Sequence, residues 1–519
     1  MLRKPVGAGT LNRVSNAGGS LALLFGALAL SACSDGDGPT GPGSPETLSV
    51  VSGDRQSGTV GNEVSRAIRV RVQDADGEGV GDVPITWAVV EGGGEVHPVA
   101  EVTDSTGEAS ADWTLGTDVG TQTLEVEADD AGSTEVSADA LAGSVAELQL
   151  EEGDSQTGVQ GMALSEAPAV QAFDAFGNPA KGRTAHFRVE EGGGWTVEGS
   201  VPFDEEGRAS TPWYLGPELG GQSLSVMADG EELEFEAEAG SVEVGSSYKG
   251  ARDFVEYIPG DLPLIITASH GGTERPDDIP TRTGNVVTVR DLATDTLGFE
   301  MADALEDEVG GRPHLVVLHL HRTRLDANRE IGEAAQGHSE AERAWHEFHS
   351  LTELSKEIVR EEHGQGFLLD LHGHGKDPQW LELGYLLTLS DLEASDDGLN
   401  DAWAVEKSSL RTLAEEGGVD HAELVRGETS LGDLYEEEGY SSVPSSENPD
   451  PESNPFFSGG HITQRHGCRD GDEICAFQLE LNWDGVRDSR ENHRAFVEAN
   501  ARVLDTFFGH HYGAPLSDF

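Results

Sequence analysis

Gly366-Phe367-Leu368-Leu369-Asp370-Leu371-His372-Gly373-His374 is an apolar run that ends in an acid and two imidazoles. Its length and bounding glycines read as a strand buried on both faces, as in parallel sheets. Two other stretches share this form. Leu262 to Ala268 runs into Ser269-His270-Gly271-Gly272-Thr273-Glu274, and Phe477-Gln478-Leu479-Glu480-Leu481-Asn482 carries a carboxylate inside an apolar frame. Between them the pattern predicts a strand at 314–320 and helices at 289–309, 341–362 and 489–508. Such alternation points to an α/β domain over 250–519, a mixed sheet with helices on both faces. Side chains at the carboxyl ends of its strands converge on one site, and His270, His372 and Glu480 fall there.

These residue types suit a metal-dependent hydrolase. Catalytic zinc takes three protein ligands and leaves a fourth position for water. The expected ligands are His270, Glu274 and His372, with Gly271-Gly272 letting one turn bring His270 and Glu274 to the same ion. His374 points the same way as His372, so it either replaces His372 or lines the pocket. Asp370 is placed to orient an imidazole. Glu480, costly to bury without a role, is the expected general base toward water whose pKa the metal lowers. In His321-Arg322-Thr323-Arg324-Leu325-Asp326-Ala327-Asn328-Arg329, one arginine (Arg322) is expected to polarise a carbonyl. Asn328 and Arg329 are expected to hold a substrate carboxylate.

The series Ser269-His270-Gly271-Gly272, Arg322-x-x-x-Asp326-x-Asn328-Arg329, Leu369-Asp370-Leu371-His372, Phe457-Ser458-Gly459-Gly460-His461-Ile462-Thr463 and Gln478-x-Glu480-x-Asn482 is similar to N-formylglutamate amidohydrolases over roughly 255–510. More distantly, the Phe367–His372 and Phe477–Leu481 strands look like those of zinc carboxypeptidases, and the His-Gly-Gly turn like that of poly-γ-glutamate hydrolases. The resemblance implies a zinc-exopeptidase-like α/β fold and hydrolysis of an amide in a carboxylate-bearing, acyl-glutamate-like substrate. It also implies ligand roles for His270, Glu274 and His372, a base role for Glu480, and a substrate-binding wall at Gly459, Gly460 and Thr463.

The N-terminal half repeats itself at an offset of 100. Gly53-Asp54-Arg55-Gln56-Ser57-Gly58 recurs as Gly153-Asp154-Ser155-Gln156-Thr157-Gly158, and Asp104, Gly107, Trp113, Leu115 and Gly116 recur as Asp204, Gly207, Trp213, Leu215 and Gly216. A constant offset marks a duplicated domain. Alternating stretches such as Ile68-Arg69-Val70-Arg71-Val72, separated by turns such as Asp74-Ala75-Asp76-Gly77, predict two immunoglobulin-like β-sandwiches at 46–145 and 146–245. Their pattern resembles bacterial Ig-like domains of the invasin/intimin type. The repeats hold only His97 and His186 of the 18 histidines and no cysteine, so they read as spacers, with Trp113 and Trp213 in their cores. A second reading of the chain, from another class, is an adhesin whose C-terminal domain binds a ligand without catalysis.

Residues 1–33 read as a lipoprotein signal peptide: Arg3, Lys4 and Arg13 precede the apolar stretch Leu21 to Leu30, and Leu30-Ser31-Ala32-Cys33 looks like a lipobox with Cys33 lipidated. Residues 34–45 are a Gly/Pro linker. The expected location is outside the cytoplasm, tethered to the cell envelope by lipid, where Cys468 and Cys475 close a small loop worth about 2–3 kcal/mol. Acidic residues outnumber basic ones 96 to 33, a net charge of −63, which repels nucleic acid and anionic membrane surfaces. Acidity spread along the whole chain suits a salt-adapted protein, because salt screens its self-repulsion. The melting temperature is therefore expected to rise from low to molar salt in a thermal scan. A flat or falling trend contradicts that reading.

Overall fold

Strand burial follows the two-residue period of the sequence. In Glu108–Leu115, Ala109, Ala111, Trp113 and Leu115 face inward and their neighbours outward. The computed structural model describes residues 43–519; the stretch 1–33 expected to be a signal peptide, with Cys33, and residues 34–42 of the expected linker lie outside them. The first repeat forms two four-stranded sheets, Thr47–Ser52, Ile68–Gln73, Glu108–Leu115, Gly94–Pro98 and Gln56–Thr59, Gly132–Leu141, Gly120–Ala128, Ile85–Glu91. They enclose one core containing Val70, Val72, Trp113, Leu124 and Val126. The second repeat encloses a matching core around Trp213, Leu224, Val226 and Phe235. Asp74 and Asp174 close equivalent turns, each accepting backbone N–H groups two and four residues on. Trp113 and Trp213 are fully buried.

The C-terminal part contains one eight-stranded sheet. Its strands are β1 (Tyr248–Lys249), β2 (Val255–Ile258), β3 (Leu264–Ala268), β4 (His314–Leu318), β5 (Gly366–Gly373), β6 (Leu381–Gly384), β7 (Ser442–Val443) and β8 (Ile474–Leu481). The order is β1-β2-β4-β3-β5-β8-β6-β7. The central strands β4, β3, β5 and β8 are parallel, and β2 and β6 flank them antiparallel. Helices α1 (Thr294–Val309), α2 (Ser339–His363), α3 (His461–His466) and α4 (Arg490–His511) accompany them. Alternate residues of β3 serve opposite faces: Leu264, Ile266 and Ala268 pack with Leu297 and Met301 of α1 and Phe496 and Leu504 of α4. Ile265 packs with Trp345, Phe348 and Leu351 of α2. A disulfide joins Cys468, just after α3, to Cys475 in β8.

Helix α1 begins at Thr294 rather than at the expected 289. Val286-Val287-Thr288-Val289 is a β-branched run that resists helix, and residues 285–293 form an irregular segment instead.

The second sandwich is docked onto α2. Tyr214 donates its hydroxyl proton to the Glu347 carboxylate, Arg343 Nε donates to Tyr214 Oη at 2.7 Å, and Ala251 N donates to Glu347 Oε1 at 2.8 Å. Trp195 stacks on Tyr214 with ring centres 4.1 Å apart and reaches His346 at 5.4 Å. The offset-100 counterparts of Trp195 and Tyr214 are Glu95 and Thr114. The second repeat is thus aromatic where it meets α2, and the first carries polar residues at the same positions. Tyr214→Ala removes an aromatic contact and a donor to a buried carboxylate, so a loss on the order of 3 kcal/mol is expected. Denaturant unfolding of the full chain, with Thr114→Ala as control, checks this. Equal effects of the two substitutions would contradict the docking.

Candidate metal centre

His270 stands two residues past the end of β3 and His372 is the penultimate residue of β5, so adjacent parallel strands deliver both rings to one place. Their Nδ1 atoms lie 3.0 Å apart. Asp291 Oδ2 lies 3.1 Å from His372 Nδ1 and 3.4 Å from His270 Nδ1. Three donors about 2.0–2.1 Å from a tetrahedral ion sit roughly 3.3 Å apart, so this triangle has the size of a zinc site. His270, Asp291 and His372 form the one group of metal-capable side chains among the described residues.

The other ring nitrogens are held by acids. His270 Nε2 is 2.6 Å from Asp326 Oδ1, and His372 Nε2 is 2.9 Å from Asp370 Oδ2. Asp370 is itself fixed by Thr267 Oγ1 at 2.9 Å. With Nε2–H donated to a carboxylate in each case, both Nδ1 lone pairs face one another and Asp291. That arrangement is repulsive until a cation or proton lies among them. Charge agrees. Asp291, Asp326, Asp370 and Glu480 are all at most 9% exposed; Arg322 pairs with Asp291 and Asp326, Arg282 pairs with Asp326, and His270 and His372 contact the three aspartates. Asp370 and Glu480 have no arginine or lysine partner among the described residues, which favours a cation at this centre. The residues therefore fit a divalent metal ion of zinc's size.

Protonation follows the same geometry. Burial would raise Asp291 and Asp326, yet His270 and His372 hold the first, and His270, Arg322 and Arg282 the second, well below the usual carboxylate range. Burial opposes charge on His372, but Asp370 and Asp291 raise it well above the ordinary imidazole value. Burial pushes Glu480 up to about 7, opposed by His372 and reinforced by Asp291 and Glu382. Glu480 pairs in register with His372 across β5 and β8, and its Oε1 accepts from Gln478 Nε2 at 2.8 Å. It lies in the wall of a cleft of about 640 Å³ that also takes in His270, Asp291 and His372.

Glu274 is not part of this centre. After Gly271-Gly272 the chain runs on beside Leu320, with Glu274 N donating to His319 O at 2.9 Å and His321 N donating to Glu274 O at 2.8 Å. A Cβ on Gly272 would sit 2.4 Å from Leu320 O, so the glycine allows this close passage. The Glu274 side chain is exposed. Asp291, missed in the sequence because its segment read as helix, takes the third position; its N–H donates to His270 O at 3.0 Å. Of the two alternatives at the end of β5, His372 is in the cluster. His374 lines the cleft, with Nε2 bonded to Trp380 O at 2.9 Å and Nδ1 buried without a partner.

Arg322 is turned to the carboxylates rather than free in the cleft: its Nε donates to Asp326 Oδ2 at 2.9 Å. Asn328 Nδ2 lies 3.1 Å from His372 Nε2 and its Oδ1 accepts from Ile462 N at 2.8 Å. It leaves no room for a side chain at Gly460, whose Cβ would meet Asn328 Nδ2 at 2.4 Å. Arg329, Gly459 and Gly460 line the cleft. Thr463 is buried in α3 and is not among the lining residues, because its face of the helix turns into the core.

No protein-family model and no curated protein matches the chain. Solved structures similar to it include the Escherichia coli adhesin FdeC, at 15% identity and TM-score 0.29, with 37% of this chain and 64% of that one covered. The match thus spans slightly less than two thirds of that adhesin chain. They include the Yersinia pseudotuberculosis adhesin InvE, at 13% identity and TM-score 0.23, with 51% and 79% covered. They also include an N-formylglutamate amidohydrolase from Ralstonia eutropha, at 15% identity and TM-score 0.28, with 49% and 97% covered. At these levels the functional reading rests on the centre itself.

Elemental analysis of the purified chain is expected to give close to one divalent ion per molecule. Asp291→Ala and His372→Ala lose it, whereas Glu274→Ala keeps it. Loss of metal in Glu274→Ala alone would contradict the geometry.

Proposed function

We propose that residues 250–519 form a zinc-dependent amidohydrolase acting on an amide whose substrate also carries a carboxylate, and that a lipid on Cys33 tethers it to the cell envelope. The observation that carries the reading is the Nδ1–Nδ1–Oδ2 triangle of His270, His372 and Asp291 with the buried carboxylate of Glu480 beside it. His270, His372 and Asp291 would hold zinc, which would supply Lewis acidity toward water and the substrate carbonyl. The protein's own groups do the rest. Glu480, with a pKa near neutrality, takes a proton from the water that adds to the carbonyl carbon. It then hands that proton to the amine nitrogen as the C–N bond breaks. Asp326 and Asp370 keep the two imidazoles oriented, and Arg322 holds Asp326 in place. Arg290 and Arg329, both half-buried at the cleft, are cations available to a substrate carboxylate; Arg329 also donates to Asn328 O at 2.6 Å and lies 3.5 Å from Glu333.

Glu480→Gln preserves shape and removes the proton acceptor. It is expected to lower kcat on N-acyl-glutamates by about 10²–10⁴-fold with metal content unchanged. Unaltered turnover removes Glu480 from the mechanism. Absence of turnover by the unmodified zinc-loaded chain on acyl-glutamates and peptide amides favours the adhesin reading.

A further inference from the structure

The segment 285–293, which carries Asp291, belongs to no strand or helix, yet its backbone is pinned. Arg282 Nη1 donates to Val287 O at 3.0 Å, Arg322 Nη1 to Val289 O at 3.4 Å, and Arg487 Nη1 to Leu292 O at 2.7 Å. These arginines are 4%, 8% and 4% exposed. With the carbonyls committed to buried guanidinium groups, the side chains of Val287, Val289 and Leu292 are left 49%, 75% and 48% exposed, and all three line the cleft. Phe457, 44% exposed, and Trp483 add apolar surface to the same cleft.

Single exposed apolar side chains are ordinary, but several together at one cleft mark recognition. Their fixed backbone means that little ordering is lost on binding. Asp291 lies between Val289 and Leu292, so this lip adjoins the proposed metal centre at which the substrate carbonyl would react. We infer, on the amidohydrolase reading above, that the lip binds an aliphatic acyl group of several carbons. The preferred substrate is then an N-alkanoyl amino acid rather than a one-carbon acyl derivative.

The test uses the full chain and N-acyl-glutamates with formyl, butanoyl, hexanoyl and octanoyl groups. Calorimetry on the metal-free protein reads binding, and kcat/KM on the zinc-loaded protein reads turnover. Affinity and kcat/KM are expected to rise roughly two- to fourfold per methylene that reaches the lip. Val289→Ser, alone and with Val287→Ser and Leu292→Ser, is expected to flatten both gradients. Binding and turnover independent of chain length in the unmodified protein would overturn the lip. A binding gradient with no turnover at any length would uphold the lip and remove the hydrolase reading.

Discussion

Two imidazole nitrogens and a carboxylate oxygen held within 3.0–3.4 Å of each other are the constraint around which the C-terminal unit is arranged. Lone pairs and negative charge do not collect at a buried site unless surrounding bonds enforce it. Here the enforcement is layered. Register between β3 and β5 sets Thr267 opposite Asp370, Thr267 fixes Asp370, and Asp370 fixes His372. Asp326 fixes His270 and is itself gripped by Arg322 and Arg282. The same two arginines, with Arg487, hold the segment that delivers Asp291. Removing one arginine therefore disturbs a ligand and the ligand's support together.

The second sandwich enters this arrangement through α2. Trp345 Nε1 donates to Arg329 O at 2.9 Å, and His349 Nε2 lies 3.0 Å from Ala327 O. These contacts hold the 327–329 segment, whose Asn328 touches His372. Glu347, on the same helix, is where Tyr214 of the sandwich docks. A repeat that reads as a spacer is in structure a brace for the helix behind the cleft, whereas the first repeat keeps polar residues at the equivalent positions.

What was legible in the sequence follows from period and burial. Apolar runs at β3, β5 and β8 are long enough to specify parallel central strands, and strand ends specify where His270, His372 and Glu480 meet. The constant offset of 100 specified the two sandwiches and their tryptophan cores. Other features were not legible. Asp291 sits in a segment with neither period, though the β-branched run Val286–Val289 was a sign against helix. Glu274 looked like a ligand because sequence nearness suggested one turn to one ion, but the chain spends that turn on a backbone bridge to Leu320. Arg322 looked free because its partners, Asp291 and Asp326, are brought to it only by the tertiary fold. The docking face was not read either, although Trp195 and Tyr214 differ from Glu95 and Thr114 at the same places in the repeat.

The most direct test of this account is anomalous diffraction at the zinc edge from crystals of the full chain equilibrated with zinc. The account predicts one buried ion bound by Nδ1 of His270, Nδ1 of His372 and a carboxylate oxygen of Asp291, at about 2.0–2.2 Å each. An ion held instead by Glu274 or His374, or no ion among these residues, would contradict it.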